Sequence, residues 1–271
     1  MDLTEEDLVS TVRIQLDRQD GVRVLTLDDP ARRNALSPTM QQELAAAVDT
    51  VARVSAARVL VIAAEGPAFC AGADLAAAFS DTSRPVGEIR EGLRHTYDSF
   101  LRIRRLEIVS IAAVQGPAIG AGLNLALSCD VRIAGPGASF GAPFVRLGLH
   151  PGGGCTHYLV RALGAQRALS LLLDGGSVDA AGALGCGMVI DVVDDPLAAA
   201  LNMAERYASL DARLVRDIKR SVGIAAAGSF DESVEFESWA QAVSATSPAT
   251  AQAMARFARR RPPETVDGGI R

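Results

Sequence analysis

The stretch VLVIAAEGPAFCAGADL, residues 59–75, carries the pattern that decides the fold. Its first part, 59–63, is a short continuous apolar run, which is typical of a strand buried on both faces. The runs 109–114 and 131–134 have the same character. Each such strand is followed by a glycine-rich loop and then an Ala/Leu-rich helical stretch. This rhythm predicts an α/β fold with a spiral or wound sheet.

Upstream of this stretch, the chain is predicted to open with an antiparallel pair of strands. Branched and polar residues alternate over 12–16 and again over 22–27, and the turn residues 19–21 stand between them. A helix is then predicted to begin at Pro38, with Ser37 as its N-cap, and to end before the next strand.

Downstream of Gly152 the chain is predicted to be mainly helical, because the strand signal fades there apart from 188–193. These helices have apolar residues on more than one face, so we expect a homo-oligomer. The polar segment 79–88 is expected to be mobile and to flank a binding site. The helical patterns downstream of Gly152 cover residues 156–163, 166–173, 197–210, 212–227 and 230–245.

Composition limits the classes of protein to which the chain can belong. Its 271 residues suffice for one large domain or for a core with a smaller appendage. Aromatic residues make up only 4% while glycines number 25, which favours closely packed layers and excludes a fibrous or disordered chain. The formal net charge of −5 creates no attraction for polyanions, so we expect no nucleic-acid partner.

Cysteine usage and the N-terminus indicate a soluble protein of the cytoplasm. The cysteines lie far apart without a CxxC pair, so neither a zinc ribbon nor a disulfide framework is expected. The first ten residues are acidic where a signal peptide would be basic, and no apolar run approaches the roughly 20 residues that span a bilayer.

Two glycine-containing loops form the candidate site: the first glycine loop, 66–75, and the second glycine loop, 115–124. Small residues let a ligand approach the backbone, and N–H groups at the start of a following helix are unpaired donors with partial positive charge. Two such donors on one carbonyl oxygen would stabilise an enolate, each by roughly 3 kcal/mol in a dry pocket. The glycines equally fit tight turns without a ligand, and this alternative stays open.

Other well-known site types do not match the sequence. Neither loop is a GxxxxGK[ST] phosphate loop, and Gly120-Ala121-Gly122 lacks the third glycine of a dinucleotide-binding motif. No G-x-S-x-G elbow accompanies a Ser/His/Asp order. Nucleotide hydrolysis, hydride transfer and serine-based hydrolysis are therefore not expected.

Short motifs stand in order along nearly the whole chain. They are RNAL at 33–36, AFCAGADL at 68–75, AAVQG at 112–116, GAG at 120–122, SCD at 128–130, SFG at 139–141 and GLHPGGG at 148–154. This series resembles the crotonase superfamily, also called the enoyl-CoA hydratase/isomerase family. One motif alone could arise by chance, but the whole series in this order and spacing could not.

The resemblance implies a fold and a ligand. It implies a crotonase-like spiral of ββα turns over residues 1–195 and a helical C-terminal trimerisation region over 196–271, which completes the CoA site. An acyl-CoA thioester would be the substrate or ligand, with no cofactor, no metal, no nucleic acid and no membrane span. The assembly implied is a homotrimer or a dimer of trimers.

The resemblance also assigns residues to the site. In such proteins the thioester oxygen sits between two backbone N–H groups, which map onto Ala73 and Ala121. Alanine in place of the glycine often found at the second position keeps the N–H. Arg260 occupies the place of a basic residue that meets the CoA phosphates, although a solvated run of charge is an equal alternative for the tail arginines. The other residues expected to line the substrate are Arg33, Ala35, Ala71, Leu75 and Gly120.

The chain departs from typical hydratases at the two positions that carry catalytic glutamates. Asn124 and Phe144 stand there instead. An amide does not accept a proton near neutral pH, and a phenyl ring is neither donor nor acceptor. Ordinary hydration by two carboxylates is therefore not expected.

Other titratable or nucleophilic residues carry weaker hypotheses. His150 stands on the turn where related isomerases and dehalogenases place an acid, so it is a candidate base, but it could equally bond the backbone of the turn. His95 and His157 are weaker candidates. Asp74 is expected to cap the helix that it begins, and Cys70 to be a small buried residue.

Two functions remain in competition, with a scaffold as a third and weaker one. The first is an enzyme that stabilises a thioester enolate. The second is a non-catalytic fatty acyl-CoA-binding protein, which Asn124 and Phe144 favour because they replace the usual acids. The residues expected to contact CoA argue against a scaffold whose oligomer interface is its only function.

Overall fold

The computed structural model describes residues 12–16, 21–79, 81 and 83–260, with side chains throughout except at 13–16 and 258–260. Strands and helices alternate up to residue 192, and helices alone follow among the described residues, so the expected α/β fold is confirmed. The strands are β1 (Val12–Leu16), β2 (Val22–Leu27), β3 (Val59–Ala64), β4 (Val109–Val114), β5 (Ala118–Ile119), β6 (Val131–Ala134), β7 (Ser139–Gly141), β8 (Ser177–Asp179) and β9 (Asp191–Val192). The helices are α1 (Pro38–Arg53), α2 (Leu75–Ala78), α3 (Val86–Leu101), α4 (Ala121–Ser128), α5 (Cys155–Leu163), α6 (Ala165–Asp174), α7 (Ala180–Gly185), α8 (Pro196–Ala208), α9 (Ala212–Ala227), α10 (Phe230–Ala245) and α11 (Pro248–Arg260).

The larger sheet has six strands in the order β1-β2-β3-β4-β6-β9. β1 pairs antiparallel with β2, as the alternating pattern predicts, and the later pairs are parallel. Parallel neighbours need a crossover connection, and α1, α3 and α4 lie in the three connections between β2 and β6.

Successive side chains of a strand point to opposite faces of the sheet. Alternate residues of each central strand therefore pack into two separate hydrophobic cores, one on each face. Leu60 and Ile62 join the larger core, to which α1, α3 and α4 also contribute. Val59 and Val61 face α8, whose contact residues are alanines spaced four apart. Burial on both faces explains why β3 reads as a continuous apolar run. The alanines of α8 are Ala200, Ala204 and Ala208.

The smaller sheet holds three strands in the order β5-β7-β8. β5 is parallel to β7, and β7 is antiparallel to β8. An isolated bridge joins Ala118 of β5 to Cys70, so the first glycine loop lies alongside this sheet.

Helix caps match the expected residues. The Ser37 hydroxyl accepts a hydrogen bond from the Met40 amide at 3.2 Å, and Pro38 occupies the first helical position of α1. The Asp74 carboxylate accepts from the Ala77 amide at 3.1 Å and caps α2. Each such cap contributes about 1 kcal/mol.

The chain divides into two compact units, the first ending at Ala212 and the second beginning at Arg213. The expected division, after residue 195, places α8 with the C-terminal helices, but its alanines pack on the sheet of the first unit. In the second unit, α10 begins with a capping box: the Glu232 amide donates to the Ser229 hydroxyl at 3.3 Å, and the Ser229 amide donates to the Glu232 carboxylate at 2.7 Å.

Several segments differ from the sequence-based expectation. α3 begins at Val86, so the polar segment expected over 79–88 is shorter; its mobility stays a prediction. The strand expected over 188–193 is limited to β9. α7 and α11 have no counterpart among the expected helices, and β8 has none among the expected strands. No helix within the described ranges is both long and apolar enough to cross a membrane.

Candidate active site

Asn34 ties three stretches of backbone together. It is fully buried, and both Arg33 and Asn34 adopt left-handed backbone conformations, with φ of 52° and 56°; asparagine tolerates this conformation better than most residues. Its Nδ2 donates to the carbonyl oxygens of Glu65 and Ala68, both at 2.9 Å. Its Oδ1 accepts from the Asp29 amide at 2.8 Å. These bonds fix the turn against the first glycine loop.

The amide of Ala73 is left free by the parallel bridge beside it. The Leu36 amide donates to the Gly72 carbonyl at 2.7 Å, and the Leu36 carbonyl accepts from the Asp74 amide at 3.3 Å. In a parallel bridge, a residue bonds to the neighbours of the residue opposite it, not to that residue itself. Ala73, which stands opposite Leu36, therefore keeps its own N–H for another acceptor.

The second glycine loop packs directly on the first. The Ile119 amide donates to the Cys70 carbonyl at 2.9 Å. Gly120 follows with a φ of 56°, and α4 begins at Ala121. A Cβ on Gly122 would overlap with the Cys70 carbonyl oxygen, so only glycine permits this approach.

Two backbone N–H groups, those of Ala73 and Ala121, lie where the two loops meet. A Cβ built on Gly72 would be 3.6 Å from the Ala121 nitrogen, so Gly72 lies next to this amide. Within the described part of the chain, no acceptor bonds either N–H. Since Ala121 begins α4, its N–H is one of the unpaired donors of a helix N-terminus. Each of these N–H groups can therefore donate to an acceptor from outside the described residues.

Asn124 and Phe144 lie close to these donors. Asn124 is on α4, one turn after Ala121, and is almost fully buried. Its Nδ2 donates to the Gly152 carbonyl at 2.8 Å, while its Oδ1 has no partner among the described residues. A Cβ built on Gly120 would be 3.9 Å from Cζ of Phe144, whose ring provides an apolar wall.

Tyr97 on α3 joins the site, although the sequence patterns did not indicate it. Its hydroxyl oxygen lies against Gly152, where a Cβ would overlap with it. A Cβ built on Gly153 would be 2.7 Å from Nδ2 of Asn124 and 3.3 Å from Cδ1 of Tyr97, so both side chains contact this glycine. Partial burial raises the pKa of Tyr97, and the nearby backbone of Gly153 offsets part of that rise. The helical spacing of Tyr97 and Phe100 is the one available signal, and it also fits plain core packing.

Comparison with known proteins shows the family. The sequence pattern of the family "Enoyl-CoA hydratase/isomerase" matches residues 17–267. The chain belongs to this family. It is 43% identical over 211 residues to the Mycobacterium tuberculosis protein named "Probable enoyl-CoA hydratase EchA14", covering 78% of this chain and 81% of that protein.

Solved structures of hydratase/isomerase type have the same fold. A Geobacillus kaustophilus enoyl-CoA hydratase subunit has a TM-score of 0.83 at 33% identity, covering 93% of this chain and 96% of that one. A Thermobifida fusca structure named as an enoyl-CoA hydratase in complex with CoA has a TM-score of 0.77 at 32% identity, covering 92% and 95%. The crotonase-like fold class and the family prediction are confirmed.

The residues that the hydratase/isomerase resemblance assigns to substrate binding lie on connected backbone. The Ala71 amide donates to the Arg33 carbonyl at 2.9 Å, which links these two segments. Arg33, Ala71 and Leu75 are exposed, and Ala35 is partly buried. Arg260 ends α11 in the second unit; its side chain lies outside the described residues, and its contact with CoA stays a prediction.

The remaining candidates have simpler environments. His150 is exposed, and its Nδ1 lies 2.8 Å from the Pro151 carbonyl oxygen, as expected for a turn residue; its role as a base stays a prediction. His95 and His157 are exposed. Burial raises the pKa of the Cys70 thiol to about 12, so the thiol is protonated at neutral pH. The described residues contain no cluster of side chains suited to a metal ion.

Proposed function

We propose that the chain binds an acyl-CoA thioester and stabilises its enolate between the backbone N–H groups of Ala73 and Ala121. The observation that supports this proposal is the meeting of two loops at Gly72, where no described residue accepts from either amide. Loss of a proton beside a thioester moves negative charge onto the carbonyl oxygen. Two preorganised donors would stabilise that charge by roughly 3 kcal/mol each. The CoA complex of the Thermobifida fusca relative supports CoA as the carrier.

The reaction differs from hydration by two glutamates. Asn124 and Phe144 are neutral near pH 7, and neither exchanges protons with water or substrate. We therefore propose an isomerisation or another enolate reaction of an acyl-CoA. Its acid or base is a residue other than these two, with His150 as a candidate.

A non-catalytic acyl-CoA-binding protein is the second candidate. The bond from Asn124 Nδ2 to the Gly152 carbonyl favours it, because this bond uses the side chain to hold the turn. The Phe144 ring beside Gly120 favours it as well, since it makes the wall apolar.

Turnover by matched variants separates the candidates. A panel of 2-enoyl-CoA and 3-enoyl-CoA esters is tested with the wild type, with Asn124→Glu/Phe144→Glu, and with the exposed control Asn202→Glu. Wild-type turnover supports the enzyme. Hydration that appears only in the double variant supports a fold that binds substrate without an acid/base pair. Calorimetric binding without turnover in any variant supports the binding protein, and absence of both overturns the proposal.

We also propose that the protein is a homotrimer or a dimer of trimers. The second unit supports this, because Phe230 and Trp239 are 81% and 67% exposed in the single chain and belong to a set of exposed apolar side chains. The set also includes Ile218, Val222, Val234, Met254 and Phe257. Light scattering coupled to size-exclusion chromatography tests the mass, and a monomer would contradict the proposal.

A further inference from the structure

The turn at Gly152 and Gly153 lies between a side chain of α3 and a side chain of α4. On the α3 side, a Cβ on Gly152 would overlap with the Tyr97 hydroxyl oxygen, and a Cβ on Gly153 would be 3.3 Å from Tyr97 Cδ1. On the α4 side, Asn124 Nδ2 donates to the Gly152 carbonyl at 2.8 Å. Gly152 is therefore in direct contact with both side chains.

The contact between Tyr97 and Gly152 leaves little room for either to move. The hydroxyl oxygen occupies the space that any side chain at position 152 would need, so only glycine fits beside it. The Tyr97 ring in turn packs against Phe100, with the two ring centroids 6.4 Å apart, and Phe100 is fully buried. Because closely packed groups transmit displacement, the position of the hydroxyl group sets the position of Gly152.

Asn124 connects this turn to the Ala121 N–H through one peptide group. The Asn124 amide donates to the Gly120 carbonyl at 3.1 Å. That carbonyl and the Ala121 N–H belong to the same peptide unit, which is planar. Whatever holds the carbonyl therefore sets the direction of the N–H. Every residue of α4 is buried, so the helix has little room to adjust if Asn124 moves.

We propose that Tyr97 is a positioning residue, which acts through Gly152 and Asn124 on the direction of the Ala121 N–H. The inference rests on the proposed acyl-CoA function and adds to it a residue outside both glycine loops. Donors stabilise a developing charge best when their direction is fixed before the reaction, and the hydroxyl group of Tyr97 contributes to fixing it.

Sorboyl-CoA, a conjugated dienoyl thioester, reports on this direction. A donor that polarises the carbonyl of such a thioester moves its absorption to longer wavelength, and the wild type is expected to bind the ester and to shift its band. Gly152→Ala adds a methyl group that would overlap with the Tyr97 hydroxyl, so it is expected to lose at least half of the shift. Tyr97→Phe combined with Gly152→Ala removes that oxygen and is expected to restore most of it. The new methyl carbon would then be 2.9 Å from Cζ of the ring, which a small movement of the ring relieves.

A double-mutant cycle tests whether Tyr97 acts through Asn124. Tyr97→Phe alone removes the contact with Gly152 and is expected to weaken the shift by a smaller amount than Gly152→Ala does. Asn124→Leu breaks the link between the turn and α4. Tyr97→Phe is therefore expected to have no further effect in the Asn124→Leu background, because changes at residues that act through one another do not add. Additive losses would overturn the proposal.

Two matched controls are expected to keep the wild-type shift. Tyr207→Phe removes a hydroxyl group from a partly buried tyrosine on α8, which packs on the opposite face of the larger sheet. Gly92→Ala adds a methyl group to α3 where a Cβ has no neighbour within 4 Å.

Other outcomes contradict the positioning role. If Gly152→Ala binds the ester more weakly but keeps the full shift, the contact with Tyr97 is merely structural. A loss of shift in Gly152→Ala that Tyr97→Phe does not relieve also overturns the proposal. A wild type that does not bind the ester refutes the acyl-CoA function, and binding without a shift refutes the two free donors; in both cases the positioning role fails with them.

Discussion

Gly72 and Ala121 approach so closely that a side chain on the first would be 3.6 Å from the amide nitrogen of the second and only 2.8 Å from the Ile119 carbonyl oxygen. Gly72 also has a φ of 106°, which L side chains rarely adopt. Gly72→Ala therefore has to move one loop away from the other. Because strain of roughly 1–2 kcal/mol or more has to be relieved, we expect acyl-CoA affinity to fall at least tenfold in calorimetry.

The control for that change is Gly92→Ala. Gly92 lies within α3, and a Cβ there has no neighbour within 4 Å. Alanine at such a helical position is expected to raise the free energy of unfolding by about 0.5–1 kcal/mol without affecting acyl-CoA affinity. Equal affinities in the two alanine variants would refute the tight contact between the loops.

Asn34→Ala is expected to lower the free energy of unfolding by about 2 to 4 kcal/mol. It removes three hydrogen bonds of a buried side chain at once, each with a net contribution of about 0.5–1.5 kcal/mol, and leaves the Asp29 amide unpaired. Urea unfolding measures the loss. Asn202→Ala, at an exposed helical position, should stay within about 0.5 kcal/mol of the wild type. A loss below about 1 kcal/mol at Asn34 would contradict its role in tying the segments together.

Alkaline pH is expected to destabilise the fold through its buried thiols. Burial raises the pKa of Cys70 and of Cys155 from the ordinary value of 9.0 to about 12. Between these values the unfolded chain loses the proton and the folded chain keeps it. The stabilisation is therefore complete below pH 9 and is lost as the pH rises toward 12, by up to about 1.4 kcal/mol per unit and thiol.

Urea unfolding at pH 8 and pH 10, under reducing conditions, measures this dependence. Cys70→Ala should reduce the slope with pH, because one of the two thiols is gone. Val61→Ala also empties part of the core, but it removes no ionisable group and should lower stability equally at both pH values. A Cys70→Ala slope identical to that of the wild type would count against the argument.

Removal of the Arg33 charge is expected to weaken CoA binding roughly threefold at low salt, since exposed ion pairs contribute about 0.2–1 kcal/mol. Arg33→Asn suits this test because asparagine tolerates the left-handed backbone at this position. The difference from the wild type should shrink as salt rises. Arg53→Ala, at an exposed arginine in the last turn of α1, is the control and should bind CoA like the wild type.

The central strands could be predicted because β3 and β4 are covered on both faces and so contain almost no polar residue. The start of α1 could be predicted because Ser37 and Pro38 have specific roles at a helix N-terminus. The division between the units could not be predicted. The α8 alanines pack on a sheet, but nothing in their spacing distinguishes this from packing on another helix.

The part of the candidate site around Asn124 was the least predictable. Asn124 and Phe144 could be placed from the motifs, but the orientation of the Asn124 amide depends on the Gly152 carbonyl, which is 28 residues away in the chain. Tyr97 lies on α3, which has one buried and one exposed face like any half-buried helix. Its sequence pattern therefore does not distinguish a site residue from a core residue. Only tertiary packing brings the Tyr97 hydroxyl to Gly152.

The free amides of Ala73 and Ala121 have a consequence for how such a chain can evolve. A donor that belongs to the backbone survives every substitution at its own position except proline, which has no N–H. Natural selection therefore cannot act on the donors through the side chains at 73 and 121. It acts instead on the neighbours that permit the geometry, Gly72, Gly120 and Gly122. Positions 124 and 144 can then change toward new chemistry while the two backbone donors are retained.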